Sequence, residues 1–130
     1  MGYRLLIVDD SSIVRNVLKK ALGMTGLDIS NISEAENGLI ALAKLHEERA
    51  DLVFLDINMP VMNGMEFLQE LRDDEILKAM PVIVVSTEGS DIRKAQLMEL
   101  GISALLRKPV PPEILVETIV SVLGESKHDN

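Results

Sequence analysis

The chain has 130 residues, 47% hydrophobic and 26% charged, the balance of one globular domain with a core of its own. It has no cysteine, which excludes a disulfide framework, a cysteine zinc site and a cysteine nucleophile; its two histidines, His46 and His128, stand in unrelated contexts and cannot form a His-rich metal site. With 13 Lys and Arg against 21 Asp and Glu the net charge is −8, which argues against a nucleic-acid surface; no apolar run nears membrane length and Met1-Gly2-Tyr3-Arg4 carries no signal-peptide core, so the expectation is a cytoplasmic protein.

Short apolar runs alternate with amphipathic stretches. Leu5-Leu6-Ile7-Val8 is a continuous run ending in Asp9-Asp10, the pattern of a strand buried on both faces. Ser11 or Ser12 then caps a helix whose apolar residues are Ile13, Val14, Val17, Leu18, Ala21 and Leu22, one face of a 3.6-residue period. Asp28 to Ser33 is a weaker strand. Asn37-Gly38 precedes the helix of Leu39, Ile40, Leu42, Ala43 and Leu45. Leu52-Val53-Phe54-Leu55 ends in Asp56, and Gly64 leads into a helix with Met65, Phe67, Leu68 and Leu71. Val82-Ile83-Val84-Val85 ends in Ser86, and Ser90 caps a fourth helix whose apolar residues are Ile92, Ala95, Met98 and Leu100, stopped by Gly101, with Met98 read as core or neutral surface ahead of an exposed partner contact. Ala104-Leu105-Leu106 ends in Arg107-Lys108-Pro109, and Pro111-Pro112 opens the last helix. That helix carries two stripes, Ile114, Leu115, Ile119, Val122 and Leu123 in one, Val116 and Val120 in the other. A sheet needs only one, so the second points to a protein contact or a dimer.

Strict alternation predicts parallel strands joined by crossover helices, a doubly wound α/β sandwich of five βα units. The single domain spans 1–130, with its core at about 4–123 and a polar tail over 124–130. The seven methionines read as mostly core filler.

The chemistry gathers at the carboxyl ends of the strands, where such sheets bind ligands. Asp9, Asp10, Asp56, Ser86 and Lys108 all stand there. Carboxylates packed together repel by roughly 3–4 kcal/mol per pair at ~4.5 Å and an effective dielectric near ~20. A proton or a hard cation relieves that repulsion, and an all-oxygen set suits Mg²⁺ rather than zinc or copper. A carboxylate beside Mg²⁺ can attack phosphorus, and Asp56, ending the central run, is the best nucleophile. Each residue alone has a plainer reading. Asp9-Asp10 could sit solvated at a helix start, Asp56 could open a turn, Ser86 could cap a helix, and Lys108 could point into solvent.

Together the segments Val8-Asp9-Asp10, Leu55-Asp56-Ile57-Asn58-Met59-Pro60, Met62-Asn63-Gly64, Val85-Ser86-Thr87-Glu88 and Lys108-Pro109 resemble the receiver domain of two-component response regulators, and most of all the stand-alone chemotaxis-type (CheY-like) receivers. The resemblance runs from about residue 4 to about 123. It implies a flavodoxin-like fold with strand order 2-1-3-4-5. It implies Asp56 as phosphoacceptor, Ser86 as switch hydroxyl and Lys108 as phosphoryl contact, with a cis Lys108-Pro109 bond. It implies Mg²⁺ on Asp10, Asp56 and the backbone carbonyl of Asn58, with Asp9 acting through water. Asn58 and Glu88 stand where the family tunes the acyl-phosphate lifetime.

The resemblance further implies a switch, not a metabolic enzyme, that catalyses only its own phosphorylation and slow dephosphorylation. A sensor histidine kinase or phosphotransfer protein would donate the phosphoryl group. The output would be protein contact through the fourth helix, fifth strand and fifth helix, with phosphorylation-dependent dimerisation open. Leu105 departs from the family, which often has Tyr or Phe there, so the ring that turns inward behind the switch hydroxyl is missing. The other readings are a module cut from a longer regulator, a degenerate scaffold receiver, and an aspartyl-phosphate hydrolase. Asn58 weighs against the hydrolase, because it stands where such enzymes place an acid/base Asp.

Overall fold

The structure, a computed structural model, describes residues 2–87 and 91–124, with the backbone alone for 91–93. Its elements alternate without exception: β1 (Tyr3–Val8), α1 (Ser12–Gly23), β2 (Ile29–Ala35), α2 (Gly38–Glu47), β3 (Leu52–Leu55), α3 (Gly64–Asp73), β4 (Val82–Ser86), α4 (Asp91–Glu99), β5 (Ala104–Arg107) and α5 (Pro112–Ile119), which runs into a π-helical turn over Val120–Gly124. The strands form one parallel sheet of order β2-β1-β3-β4-β5, the order the resemblance implies.

The three continuous apolar runs became the three interior strands. Helices cover both faces of β1, β3 and β4, so every side chain from Leu5 to Val8, Leu52 to Leu55 and Val82 to Val85 is buried. Alternate residues supply the two cores. Val8, Val53, Leu55, Val82 and Val84 pack with α2 and α3 residues such as Phe67 and Leu68. Leu5, Ile7, Phe54 and Ile83 pack with Leu18 and Leu22 of α1 and Leu115, Ile119 and Leu123 of the last helix. The strand over Asp28 to Ser33 runs instead over Ile29–Ala35. Among the described residues it is an edge strand, paired with β1, and Ile29 and Ile32 are half-buried.

Three helix faces differ from the reading of the sequence. On α1 only Leu18 and Leu22 are fully buried, while Ile13 and Val17 are 74% and 56% exposed. A 3.6-residue period marks an apolar arc, but the sheet covers only part of it. On α4 the buried residue is Leu97, and Ala95 and Met98 are exposed. The Ser90 cap and the Ile92 side chain lie outside the described residues, as do Glu88 and the tail from 125. In α2, Leu39 and Ala43 face solvent, and Ala41 and Leu45 are buried. The last helix keeps its stripe in Leu115, Ile119 and Leu123, with Val116 half-buried and Val120 exposed. Of the methionines, Met59 is buried, whereas Met24 and Met98 are exposed.

Candidate functional site

Register builds the site. Val8 of β1 pairs with Leu55 of β3, so the next residues, Asp9 and Asp56, leave the sheet side by side. Two backbone bonds hold them there: Asp56 N–H donates to the Val8 carbonyl (2.9 Å) and Asp9 N–H to the Ala35 carbonyl (3.0 Å). Asp10 follows, exposed. Each of these acids offers a carboxylate oxygen, and the three oxygens lie within 4.8 Å of one another.

The positive charge comes from β5. Ser86 pairs with Arg107, and Lys108 N–H donates to the Ser86 carbonyl (3.0 Å), placing Lys108 one residue past the strand. The Lys108-Pro109 peptide is cis. Lys108 Nζ donates to Asp9 Oδ2 at 2.9 Å and more loosely to Asp56 Oδ1 at 3.5 Å. Ser86 itself is buried at the same edge, at the end of β4.

The β3–α3 loop carries Asn58, exposed two residues beyond Asp56. Gly64 closes the loop under the site by donating to the Ile57 carbonyl at 2.8 Å. A Cβ at Gly64 would stand 2.6 Å from Ile57 Cα and 2.7 Å from the Asp56 carbonyl oxygen, so only glycine fits. Asn63 caps α3 through a reciprocal pair with Glu66. Within the loop, Met62 N–H donates to the Pro60 carbonyl (2.7 Å) across Val61, whose φ is +67°. That is a tight three-residue turn in a strained backbone region.

Electrostatics follow from burial and crowding. Burial raises the Asp56 pKa above its ordinary value, the charge of Asp9 adds to this, and the charge and hydrogen bond of Lys108 only partly oppose it. Burial acts against the Lys108 charge, but its bond to Asp9 and the charges of Asp56 and Asp9 prevail, so its pKa is raised. Beside the acids opens an apolar groove of about 350 Å³, lined by Ile13, Val14, Val17, Leu18 and Val110 among others and reaching Asp56 and Lys108. The unburied α1 residues thus line this groove.

The structure therefore collects Asp9, Asp10, Asp56, Ser86 and Lys108 at one edge, as the motif positions predict. Sequence reasoning missed Arg15 and Glu34. Arg15 donates through one guanidinium nitrogen to the Asp9 carbonyl and through Nε to Glu34 Oε1 at 2.9 Å. No local pattern marks that pair, because the residues meet only when α1 packs beside β2.

Residues 5–120 match the family described as the response regulator receiver domain. The chain belongs to the response regulator receiver family. The receiver is 36% identical over 123 residues to the chemotaxis protein CheY1 of Helicobacter pylori, covering 93% of this chain and 97% of that relative. Its fold matches that of chemotaxis protein CheY4 of Vibrio cholerae with a TM-score of 0.83 at 34% identity, covering 94% of this chain and 99% of that one. It also matches a CheY-like receiver domain protein of Methanospirillum hungatei with a TM-score of 0.86 at 28% identity over the whole of both chains. It is thus a CheY-like receiver of two-component signalling. Among the described residues no helix is long and apolar enough to cross a membrane.

Proposed function

We propose that this receiver accepts a phosphoryl group on Asp56 and signals the change to a partner protein. The arrangement of Asp56 beside Asp9, Asp10 and Lys108 carries the reading. The donor set fits Mg²⁺. It is all hard oxygen, and carboxylate oxygens of Asp9, Asp10 and Asp56 lie within 4.8 Å of one another, close enough to surround one small cation directly or through water. Asp10, Asp56 and the Asn58 carbonyl would hold the ion, with Asp9 acting through water. When bound, Mg²⁺ supplies positive charge that neutralises phosphoryl oxygens.

The chain's own residues do the rest. A carboxylate oxygen of Asp56 attacks the phosphorus of a phosphohistidine on a sensor kinase or phosphotransfer protein. The P–N bond breaks as the new P–O bond forms, and the imidazole leaves. Lys108 gives up its loose contact with Asp56 and donates to a phosphoryl oxygen, and the Ser86 hydroxyl donates to another. Beyond its own phosphorylation and slow dephosphorylation the receiver performs no catalysis.

The output surface is the face of α4, β5 and α5. Met98 and Val120 are exposed there at 55% and 46%, and Leu105 and Val116 are half-buried beside them. Leu105 packs against the core in place of a ring, so the readout rests on shifts of α4. A phosphorylation-dependent dimer would use the same face. The setting is the cytoplasm.

The test is intact-mass spectrometry after incubation with Mg²⁺ and acetyl phosphate, with Asp56→Asn alongside. One Mg²⁺-dependent phosphoryl adduct, absent from the variant, is expected. No adduct on folded protein, with acetyl phosphate and with a phosphorylated histidine donor alike, would leave the scaffold reading.

A further inference from the structure

We infer that Arg15 is a positioning residue of the acidic site: anchored by Glu34, it holds the peptide from which Asp10 springs. The inference rests on the receiver reading above and adds a residue to it.

Arg15 stands one turn into α1, where its N–H donates to the Ser11 carbonyl (3.0 Å). From there its guanidinium spans two groups. Nε donates to Glu34 Oε1 on β2 (2.9 Å), and the other end donates to the Asp9 carbonyl. Glu34 is itself fixed from both sides. Lys19 Nζ holds its second carboxylate oxygen at 2.8 Å, and Lys44 donates to its backbone carbonyl. The Arg15 side chain is only 16% exposed, so this is a tether in a packed setting rather than a mobile surface pair.

Four groups hold Asp9. Ala35 takes its N–H, Ser11 N–H binds Oδ1 (2.9 Å), Lys108 binds Oδ2, and Arg15 takes its carbonyl. Of these bonds, the first three fix Asp9 itself. The fourth acts on the peptide leading into Asp10, because the Asp9 carbonyl and the Asp10 nitrogen share one rigid plane. Fixing that plane fixes the Asp10 Cα and the direction its carboxylate takes. Asp10 is the exposed acid of the three, so it has the most freedom to lose.

Charge alone predicts the opposite of this role. Removing a cation near an acidic cluster strengthens the field that attracts Mg²⁺, so affinity would rise. Positioning predicts that it falls. Lys20 supplies the control, since it is an exposed lysine of the same helix and takes part in none of the bonds named above.

The experiment is a calorimetric Mg²⁺ titration of the wild type, Arg15→Met, Arg15→Lys and Lys20→Met at pH 7.5, with urea midpoints to verify folding. Arg15→Met is expected to bind Mg²⁺ roughly tenfold more weakly, the usual scale for losing a group that orients a ligand. Arg15→Lys is expected to recover part of the loss, because one ammonium lacks the fork that reaches both groups. Lys20→Met should stay within about twofold of wild type or bind slightly more tightly. Unchanged or tighter binding in Arg15→Met, or an equal loss in Lys20→Met, overturns the inference. If Arg15→Met does not fold, Arg15→Gln carries the same expectation and the same refutation. A wild type that binds no Mg²⁺ would instead overturn the receiver reading of the site, and the inference with it.

Discussion

Lys108 Nζ stands 3.5 Å from Asp56 Oδ1, at the far limit of a hydrogen bond, and joins residues 52 apart in sequence. The same nitrogen binds Asp9 more closely, at 2.9 Å. Lys108 is therefore anchored on the acid beside the nucleophile and only loosely attached to the nucleophile itself. That leaves Asp56 free to react without first breaking a strong ion pair.

Lys108→Met removes the cation between two crowded acids. Stability without Mg²⁺ is expected to fall by about 2 kcal/mol at pH 7, the scale for hydrogen bonds to charged groups. Because the folded lysine pKa is raised, its contribution is complete below the ordinary lysine pKa and is lost as pH rises through the folded value. The gap to wild type should hold from pH 6 to 9 and narrow in strong alkali. Urea denaturation across that range measures it, and phosphoryl adduct formation should slow in parallel.

Asp56→Asn is expected to stabilise the protein while abolishing the adduct. The folded carboxyl pKa is raised, so the ionised group disfavours the fold. The penalty is absent below the ordinary aspartate pKa and grows as pH rises toward the folded value. In Mg²⁺-free buffer the variant should exceed wild type by about 1 kcal/mol at pH 7. The two should converge near pH 3. A variant less stable than wild type at neutral pH would contradict this account of the acid cluster.

Gly64→Ala places a methyl against backbone, 2.7 Å from the Asp56 carbonyl oxygen. Backbone cannot swing aside as a side chain can, so the β3–α3 loop must shift. A loss of about 2–3 kcal/mol is expected, with slower phosphorylation because Asp56 moves with the loop. Thermal melts and adduct kinetics on the same samples test both halves.

Val61→Gly should do the reverse. Val61 is β-branched, 75% exposed and at φ +67°, so it bears backbone strain with little packing to offset it. Glycine removes the strain at a smaller entropic cost. A net gain of up to about 1 kcal/mol is expected in a urea midpoint. Asp56 phosphorylation should persist.

Much of this was legible in the chain itself. Uninterrupted apolar runs such as Leu52 to Leu55 mark strands covered on both faces, because only such strands need no polar side. Alternation with helical stretches then requires parallel strands, and the polar residues ending each run must meet at one edge. So Asp9, Asp56, Ser86 and Lys108 could be named from their positions alone. Which helical residues stay exposed was not legible. Ile13 and Leu18 look equally apolar and both line the groove, yet one is exposed and the other is buried.

The sequence by itself determined the class of fold and the chemical inventory of the site, because hydrophobic periodicity and strand-end residues are local properties. Tertiary structure alone decided the rest. Parallel register set Asp9 beside Asp56, the packing of α1 against β2 brought Arg15 between Glu34 and the Asp9 carbonyl, and the last strand carried Lys108 to both acids. Each of these joins groups far apart along the chain, and a side chain's partner across such a gap is set by the packing of whole elements, which no short window of residues contains.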